Sequence, residues 1–293
     1  MRRPESEPGE GAERGIGGLL RSLLAGIPWR ELAEGTETLR FPAPRGGVLR
    51  LQNTNGRTRV VGEERPDVEV RAAMTARAES SEAARRLLSR IRIVGHEVDG
   101  ALELEVEVPR KWNRRGYANL ELHVPRSTHL EISNPNGKVC IEGVRGRVQI
   151  RSSNGSVRVE EVEGDVDITT SNAKICCSGN EGRLLARSCN GKIEIDEHRG
   201  SIDASTSNAT VRAALEQLGK QGVYLATSNG RVVLELPEAV DADVDLWVDN
   251  GMIRNDRELD SASRDTDGRV LGRLGHGGAL VKLRTSNGSI SLR

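Results

Sequence analysis

The chain has 293 residues, enough to bury a sizeable core in one or two domains. Aromatic residues make up only 2% of it, so small β-branched side chains must fill the interior. The 43 basic residues balance the 43 acidic ones, which excludes a global electrostatic attraction to nucleic acid or to an acidic surface.

The N-terminal segment, residues 1–36, is predicted to combine a polar tail with a short amphipathic helix. Residues 1–15 are polar and rich in Gly and Pro, a composition typical of disorder. Apolar residues then recur at helical spacing up to Pro28. We favour a helix that covers one end of the fold. The alternative is a helix over residues 16–27 that docks on a partner or contacts a membrane peripherally, through Leu19, Leu20, Leu23 and Leu24.

No apolar run approaches the roughly 18–20 residues that span a membrane, and no secretory signal is recognisable. We therefore expect a cytoplasmic protein, with membrane association or a link to the cell envelope left open. The four cysteines form no Cys-x-x-Cys pair and are predicted to be reduced structural thiols.

Residues 37–133 are predicted to hold a first coil and an excursion from it. Gly47 to Gly56 carries the same pattern of apolar and turn residues as Gly146 to Gly155. A capped helix follows at residues 80–88, and residues 91–108 read as a β-hairpin around Asp99-Gly100. Residues 117–124 alternate again as a strand.

Residues 134–293 are dominated by a strict repeat. Asparagine recurs at one constant interval, at Asn136, Asn154, Asn172, Asn190 and Asn208. Two columns of apolar residues alternate after each turn, which predicts two short strands per coil with their apolar side chains facing inward. A second beat of half that interval, with Ala173 and Ala209 at two of its positions, places turn glycines at Gly137, Gly146, Gly155, Gly164, Gly182, Gly191 and Gly200.

This pattern predicts an all-β fold, a single-handed parallel β-solenoid of about 18-residue coils with the helix–hairpin segment inserted. Its handedness stays open. Stacked coils would align the turn asparagines into a ladder of hydrogen-bonded amides, with asparagine tolerating a left-handed conformation. After residue 210 the spacing loosens and lengthens, at Asn229 and Asn250, and a polar stretch interrupts at about 254–270. The frame returns from Gly275, so residues 37–293 are expected to form one continuous domain.

The sequence resembles the bacterial toastrack family of adhesin-like domains of unknown function. The T-S-N-G-x-[IV]-x-[IV] element of that family is similar to Thr227-Ser-Asn-Gly-Arg-Val-Val-Leu and Thr285-Ser-Asn-Gly-Ser-Ile-Ser-Leu. Leu236-Pro-Glu-Ala resembles its "LPEG" step, and Leu274 to Leu292 its Gly-rich tail. The resemblance covers roughly residues 38–293. It implies a β-solenoid without established catalysis, tied to the cell envelope or to envelope-stress sensing.

Outward positions beside the turns carry a basic stripe. One interpretation is a surface for a linear polyanion, and the other is a solvated face whose charges protect a flat sheet. Nucleic acid is not expected, because no aromatic residues interleave for base stacking. The stripe contains Lys138, Arg158, Lys174, Lys192, Arg212 and Arg231.

No catalytic constellation is recognisable. Asp167 and Asp203 would share one outward column two coils apart, but Leu185 stands between them. No metal site or cofactor is expected, because the turns lack the recurring Asp of calcium-binding repeats. The leading hypothesis is a non-catalytic module that binds a protein or an envelope polymer. The alternatives are a cytoplasmic scaffold that assembles homo-oligomers through its solenoid ends and, less favoured, a carbohydrate-active β-helix enzyme.

Overall fold

The computed structural model describes residues 31–109, 115–264 and 268–293, and most of these residues lie in β-strands. The strands of the N-terminal part are β1 (Glu31–Pro42), β2 (Val48–Gln52), β3 (Thr58–Glu63), β4 (Asp67–Ala78), β5 (Arg92–Val98), β6 (Ala101–Glu107) and β7 (Gly116–Pro125), with helix α1 (Ser81–Leu88) between β4 and β5. The regular coils hold β8 (His129–Asn134), β9 (Val139–Glu142), β10 (Val148–Ser152), β11 (Val157–Glu160), β12 (Val166–Thr169), β13 (Ile175–Ser178), β14 (Glu181–Arg187) and β15 (Ile193–Thr206). The C-terminal strands are β16 (Val211–Glu235), β17 (Ala242–Asn255), β18 (Asp260–Arg264), β19 (Arg269–Leu274) and β20 (Ala279–Leu292).

The coils stack in parallel and form two walls, which confirms the predicted β-solenoid. Each coil contributes one strand to each wall. In the first wall β9, β11 and β13 pair in parallel with an offset of one coil, so that Val139, Val157 and Ile175 stack on one another. In the second wall β8, β10, β12 and β14 pair with the same offset.

The inward columns of both walls make one continuous core. Most of their side chains are Val, Ile, Leu or Ala, with one Cys, because β-branched and small residues fit the narrow space between the walls. Within the described residues no Phe, Tyr or Trp is fully buried in this core. The inward columns that the repeat predicts are all buried: Val139, Ile141, Val148, Ile150, Val157, Val159, Val166, Ile168, Ile175, Cys177, Leu184, Ala186, Ile193, Ile195, Ile202, Ala204, Val211 and Ala213.

The N-terminal end of the stack departs from chain order. Strands β2 and β3 lie between the β6–β7 coil and the β8–β9 coil, and they pair in parallel with both. Strand β4 pairs antiparallel with β7, and β1 pairs antiparallel with β4, so this antiparallel pair covers the end of the first wall. Strand β5 covers the end of the second wall through the predicted hairpin with β6. Ser80 caps the N-terminus of helix α1, and its hydroxyl accepts the Ala83 N–H at 3.2 Å.

The C-terminal end repeats this exchange of order. The last strand, β20, lies between β16 and β17 and pairs in parallel with both, so Val281 is flanked by Val223 and Val244. Strand β19 then adds antiparallel to the first half of β17, and β18 adds to β19. The described residues of the polar stretch that interrupts the repeat therefore belong to an antiparallel cap. The second half of β17 forms the last rung of the first wall.

Candidate interaction surfaces

The predicted asparagines lie at one corner of the solenoid and form a continuous ladder. Each amide nitrogen donates to the side-chain oxygen of the asparagine below it, at 2.8–3.1 Å from Asn154 to Asn208. At the bottom, Asn136 donates to the carbonyl oxygen of Thr54 at 3.4 Å. The ladder extends further than the five predicted residues, through Asn229, Asn287 and finally Asn250.

Hydrogen bonds at this corner explain the threonine of the T-S-N-G element. The Thr227 and Thr285 hydroxyls face inward and donate to the carbonyl oxygens of Ala209 and Gly230 at 2.9 and 3.1 Å, which ties each turn to its neighbour. The ladder asparagines do not adopt positive φ, so the left-handed role proposed for them from sequence is wrong. Their contribution is the side-chain amide.

The turn glycines are required by the close stacking of backbones. A Cβ on Gly155 would lie 2.1 Å from the carbonyl oxygen of Gly137, and one on Gly191 would lie 1.7 Å from that of Ala173. Gly146, Gly164, Gly182 and Gly200 occupy the opposite corner, where a Cβ on Gly200 would lie 1.9 Å from the carbonyl oxygen of Gly182. Adjacent coils therefore touch through their main chains at both corners.

The basic stripe lies on the outer face of the first wall, but carboxylates interleave with it. Glu194 forms ion pairs with both Lys174 and Lys192. These two lysines hydrogen-bond to the Glu194 carboxylate and lower its pKa to about 2, while the same contact raises the pKa of Lys174. The remaining contacts are Arg158 with Glu160 and Arg212 with Glu235, both at 3.3 Å, and Arg231 with the Ser289 hydroxyl at 3.2 Å. Together with Lys138, which lies on the same face, the six cations belong to a mixed-charge surface rather than a uniformly basic one.

The predicted docking helix, with Leu19, Leu20, Leu23 and Leu24, lies outside the described residues. In the parts of the chain that the structure describes, no helix is long and apolar enough to cross a membrane.

The outward carboxylates Asp167 and Asp203 lie in one column of the second wall with Leu185 between them. Arg187 lies 3.8 Å from Asp203. His123 and Glu63 contact each other at 2.7 Å on the first wall, an interaction that lowers the pKa of Glu63. Nε2 of His123 has no hydrogen-bond partner among the described residues, so no described hydroxyl or thiol hydrogen-bonds to it there as a nucleophile would.

A cleft of about 590 Å³ lies at the C-terminal end of the stack, beside the turn before β20. Asp241 accepts the main-chain N–H of His276 at 2.8 Å, and this bond lowers the Asp241 pKa. The Arg257 guanidinium donates to the carbonyl oxygens of Leu236, Pro237 and Glu238. These contacts hold the cleft walls in place. Across residues 31–109, 115–264 and 268–293, no cluster of three or more His, Cys, Asp or Glu could hold a metal ion.

The four cysteines are unpaired thiols. Cys177 faces the core, where burial raises the pKa of its thiol, and Cys140 and Cys176 are half-buried on the outer face of the first wall. Cys189 is exposed beside the asparagine ladder. Of the four thiols, Cys177 alone packs in the core.

The second wall carries a basic row that sequence reasoning missed. The row is a column of positions, one on each successive rung of the wall. Every position except Arg269 lies three residues before a turn asparagine. We call this set the arginine row, and in stacking order it contains Gln52, Ser133, Arg151, Thr169, Arg187, Ser205, Ala226, Arg284, Trp247 and Arg269. The sequence does carry a signal for this row, because its members recur three residues before the turn asparagines. The stacking order that places Arg284 before Trp247, and both before Arg269, cannot be read from the chain.

The arginines of the row differ in the contacts that their guanidinium groups make. Arg269 donates two hydrogen bonds to the Asp245 carboxylate, at 2.8 and 3.1 Å. Arg284 lies over the Trp247 ring, 4.6 Å from its centroid, and its Nε atom is buried without a hydrogen-bond partner among the described residues. Arg151 forms no ion pair with any residue that the structure describes.

Comparison with known proteins identifies one family and several solved structures. Residues 63–293 match the sequence model described as Toastrack DUF4097. A candidate adhesin from Bacteroides fragilis is 10% identical over 92% of this chain and 100% of that one, with a TM-score of 0.40. A candidate adhesin from Parabacteroides distasonis is 9% identical over 89% and 97%, with a TM-score of 0.39. A candidate lipid binding protein from the same species is 10% identical over 88% and 97%, with a TM-score of 0.36. No curated protein matches the chain.

Proposed function

This chain belongs to the Toastrack DUF4097 family, and from that premise we propose that it is a non-catalytic, adhesin-like module that binds another macromolecule through the outer faces of its solenoid. The observation that supports this proposal is the contrast between interior and exterior. The interior is filled by packed aliphatic side chains, such as Ile150 and Ile175, that leave no exposure. The outward side chains of the regular coils lie in aligned columns, one position per coil.

Repeat folds of this kind present long surfaces instead of a single deep pocket. An elongated partner that runs along the stack can contact the same position of many coils, so modest contacts add up over its length. The expected partner is a protein or a polymer of the cell envelope. The family membership makes a binding role the first hypothesis, and an enzymatic role would require residues that act together on a substrate.

The test is co-sedimentation of the purified chain with isolated bacterial cell walls and with membrane vesicles. We expect retention by one of these fractions, and we expect loss of retention when charges on one wall are replaced while replacements on the other wall have no effect. Equal retention of both wall variants, or no retention of the parent protein, would contradict binding through an outer face. Turnover of an envelope polysaccharide that disappears in Asp167→Ala or Asp203→Ala would instead favour an enzyme.

A second candidate function is self-assembly through the ends of the solenoid. The observation that favours it is the edge of the second half of β17, where residues 251–255 pair with β20 on one side and with no described strand on the other. Met252 on this edge is 70% exposed. Unpaired strand edges pair readily with a second chain. Sedimentation across a concentration series should then show oligomers that Met252→Lys abolishes, and a monomer at all concentrations would eliminate this candidate.

A further inference from the structure

We propose that the second wall binds a linear, carboxylate-bearing polysaccharide along the arginine row. This inference rests on the proposed function, because it names the face and the chemical class of the partner. The row runs parallel to the stacking axis. Seven rung steps separate Arg151 from Arg269, about 34 Å at the usual spacing of about 4.8 Å between strands.

Charge distinguishes this row from the stripe on the first wall. From Gln52 to Arg269 the arginine row has four arginines and no acidic residue. The adjacent column is mixed, with carboxylates at Glu131, Asp167, Asp203 and Asp245 and cations at Arg50 and Lys282. On the first wall Glu160, Glu194 and Glu235 form ion pairs with cations of the basic stripe. An anionic polymer therefore meets available cations on the second wall, whereas on the first wall it would compete with bound carboxylates.

Three of the four arginines donate no hydrogen bond to a carboxylate of the described residues. Arg151 is exposed and has no described ion-pair partner, and the Arg187 side chain is 58% exposed with one contact at 3.8 Å. Arg284 lies over the Trp247 ring, 4.6 Å from its centroid, and this packing restricts the guanidinium. A guanidinium donates two parallel hydrogen bonds to a carboxylate, so each of these positions fits one acidic sugar. Arg269 is already held by Asp245 and serves to support the Trp247 side of the surface.

The surroundings of the row favour a sugar over a nucleic acid. Small side chains stand between the arginines at Thr169, Ser205 and Ala226, so a chain can approach the wall closely. The row contains a single aromatic residue, which is too few to stack successive bases. Between the row and the asparagine ladder lies a column whose serine hydroxyls can hydrogen-bond to sugar hydroxyls, at Ser153, Ser171, Ser207, Ser228 and Ser286. The same column also holds Pro135, Cys189 and, at its C-terminal end, Asp249.

The experiment is isothermal titration calorimetry of the full chain with polygalacturonate, a linear polymer with one carboxylate per sugar. The test variant is Arg151→Gln, Arg187→Gln, Arg284→Gln. The matched control is Lys138→Gln, Arg158→Gln, Lys174→Gln, which removes the same charge from the first wall. Each lost charge-assisted contact should weaken binding about tenfold, so the test variant should lose affinity at least about 100-fold and the control less than about threefold.

Further ligands and variants distinguish recognition of the sugar carboxylates from loss of folding and from binding of other polyanions. Fully methyl-esterified polygalacturonate should bind at least about tenfold more weakly, because it has lost its charge. If Arg284→Gln lowers the melting temperature, the double variant Arg151→Gln, Arg187→Gln should still weaken binding about tenfold or more. Tighter binding of polyphosphate or of single-stranded DNA would overturn the choice of a polysaccharide. No binding of polygalacturonate, or an equal loss in the first-wall control, would overturn the proposal.

The proposed function can be separated from this inference. A protein that co-sediments with cell walls but does not bind polygalacturonate would retain the general binding role and lose this surface assignment. A protein that does neither would lose both.

Discussion

Replacing Glu161 with glycine should stabilise the protein, although glycine is usually a destabilising substitution. Glu161 lies at the corner opposite the asparagine ladder, and its backbone has φ of 53°. The equivalent residues of the coils on either side are Gly143 and Gly179, with φ of 68° and 63°, and the next coil has Glu197 at 53°. The corner therefore requires the left-handed conformation in each of these four coils, and only alternate coils place glycine there.

The magnitude follows from two opposing effects. A non-glycine residue in the left-handed region costs roughly 1–2 kcal/mol. Glycine costs about 0.5–1 kcal/mol through its greater freedom in the unfolded chain. Glu161→Gly should therefore raise the free energy of unfolding by about 0.5–1 kcal/mol, and the double variant with Glu197→Gly by about 1–2 kcal/mol. For a chain of this size, 1 kcal/mol corresponds to a shift of about 2–4 °C in melting temperature.

Thermal and urea unfolding, followed by circular dichroism, would measure the effect. Glu161→Ala is the control, since it removes the carboxylate but keeps the strained backbone, and it should stay within about 0.5 kcal/mol of the parent protein. Gly179→Ala is the reverse test. A Cβ there would meet only ordinary contacts at 3.8 and 3.9 Å, so its expected loss of about 1 kcal/mol comes from the backbone conformation. If Glu161→Gly is no more stable than Glu161→Ala, the strain argument is wrong.

Three further predictions concern the ladder, the core and a buried histidine. Asn172→Ala removes the amide that donates to Asn154 and accepts from Asn190, so thermal unfolding should show a loss of about 1–2 kcal/mol. Ile175→Ala empties a fully buried position at the centre of the stack and should cost about 2–5 kcal/mol in urea unfolding, against about 0.5–1.5 for Ile175→Val. His198 is buried and its ring nitrogens make no hydrogen bond of normal geometry with the described residues. Burial lowers its pKa, against a smaller opposing effect of the nearby main chain at Ser201, Gly182 and Asn180. Because the unfolded chain takes up a proton near pH 6.5 and the folded one does not, stability should fall as the pH drops below about 6.5. Melting curves of His198→Val between pH 7 and 5 should lose that part of the decline, and an unchanged pH dependence would show that folding does not lower the pKa of His198.

The regular coils could be predicted because their information is local and repeated. Alternation places Val139 and Ile141 inside, and the constant coil length places Val157 and Val159 directly above them. The same interval aligns the ladder asparagines. The basic stripe was predicted less well, because its charges depend on neighbours in other coils. Glu194 and Lys174 are more than a full coil apart in sequence, yet they meet in space because β13 and β15 are adjacent rungs.

By itself the sequence determined the coil length, the inward and outward faces and the position of the amide ladder, since each depends on residue type at a fixed interval. Only the tertiary structure decided the order of the coils at the two ends. Backbone hydrogen bonds between parallel strands are nearly independent of side chains, so β20 could stack beside β16 or beyond β17 with similar pairing. Packing of the whole end chose the order, and with it placed Arg284 over Trp247 and built the surface proposed to bind a polysaccharide.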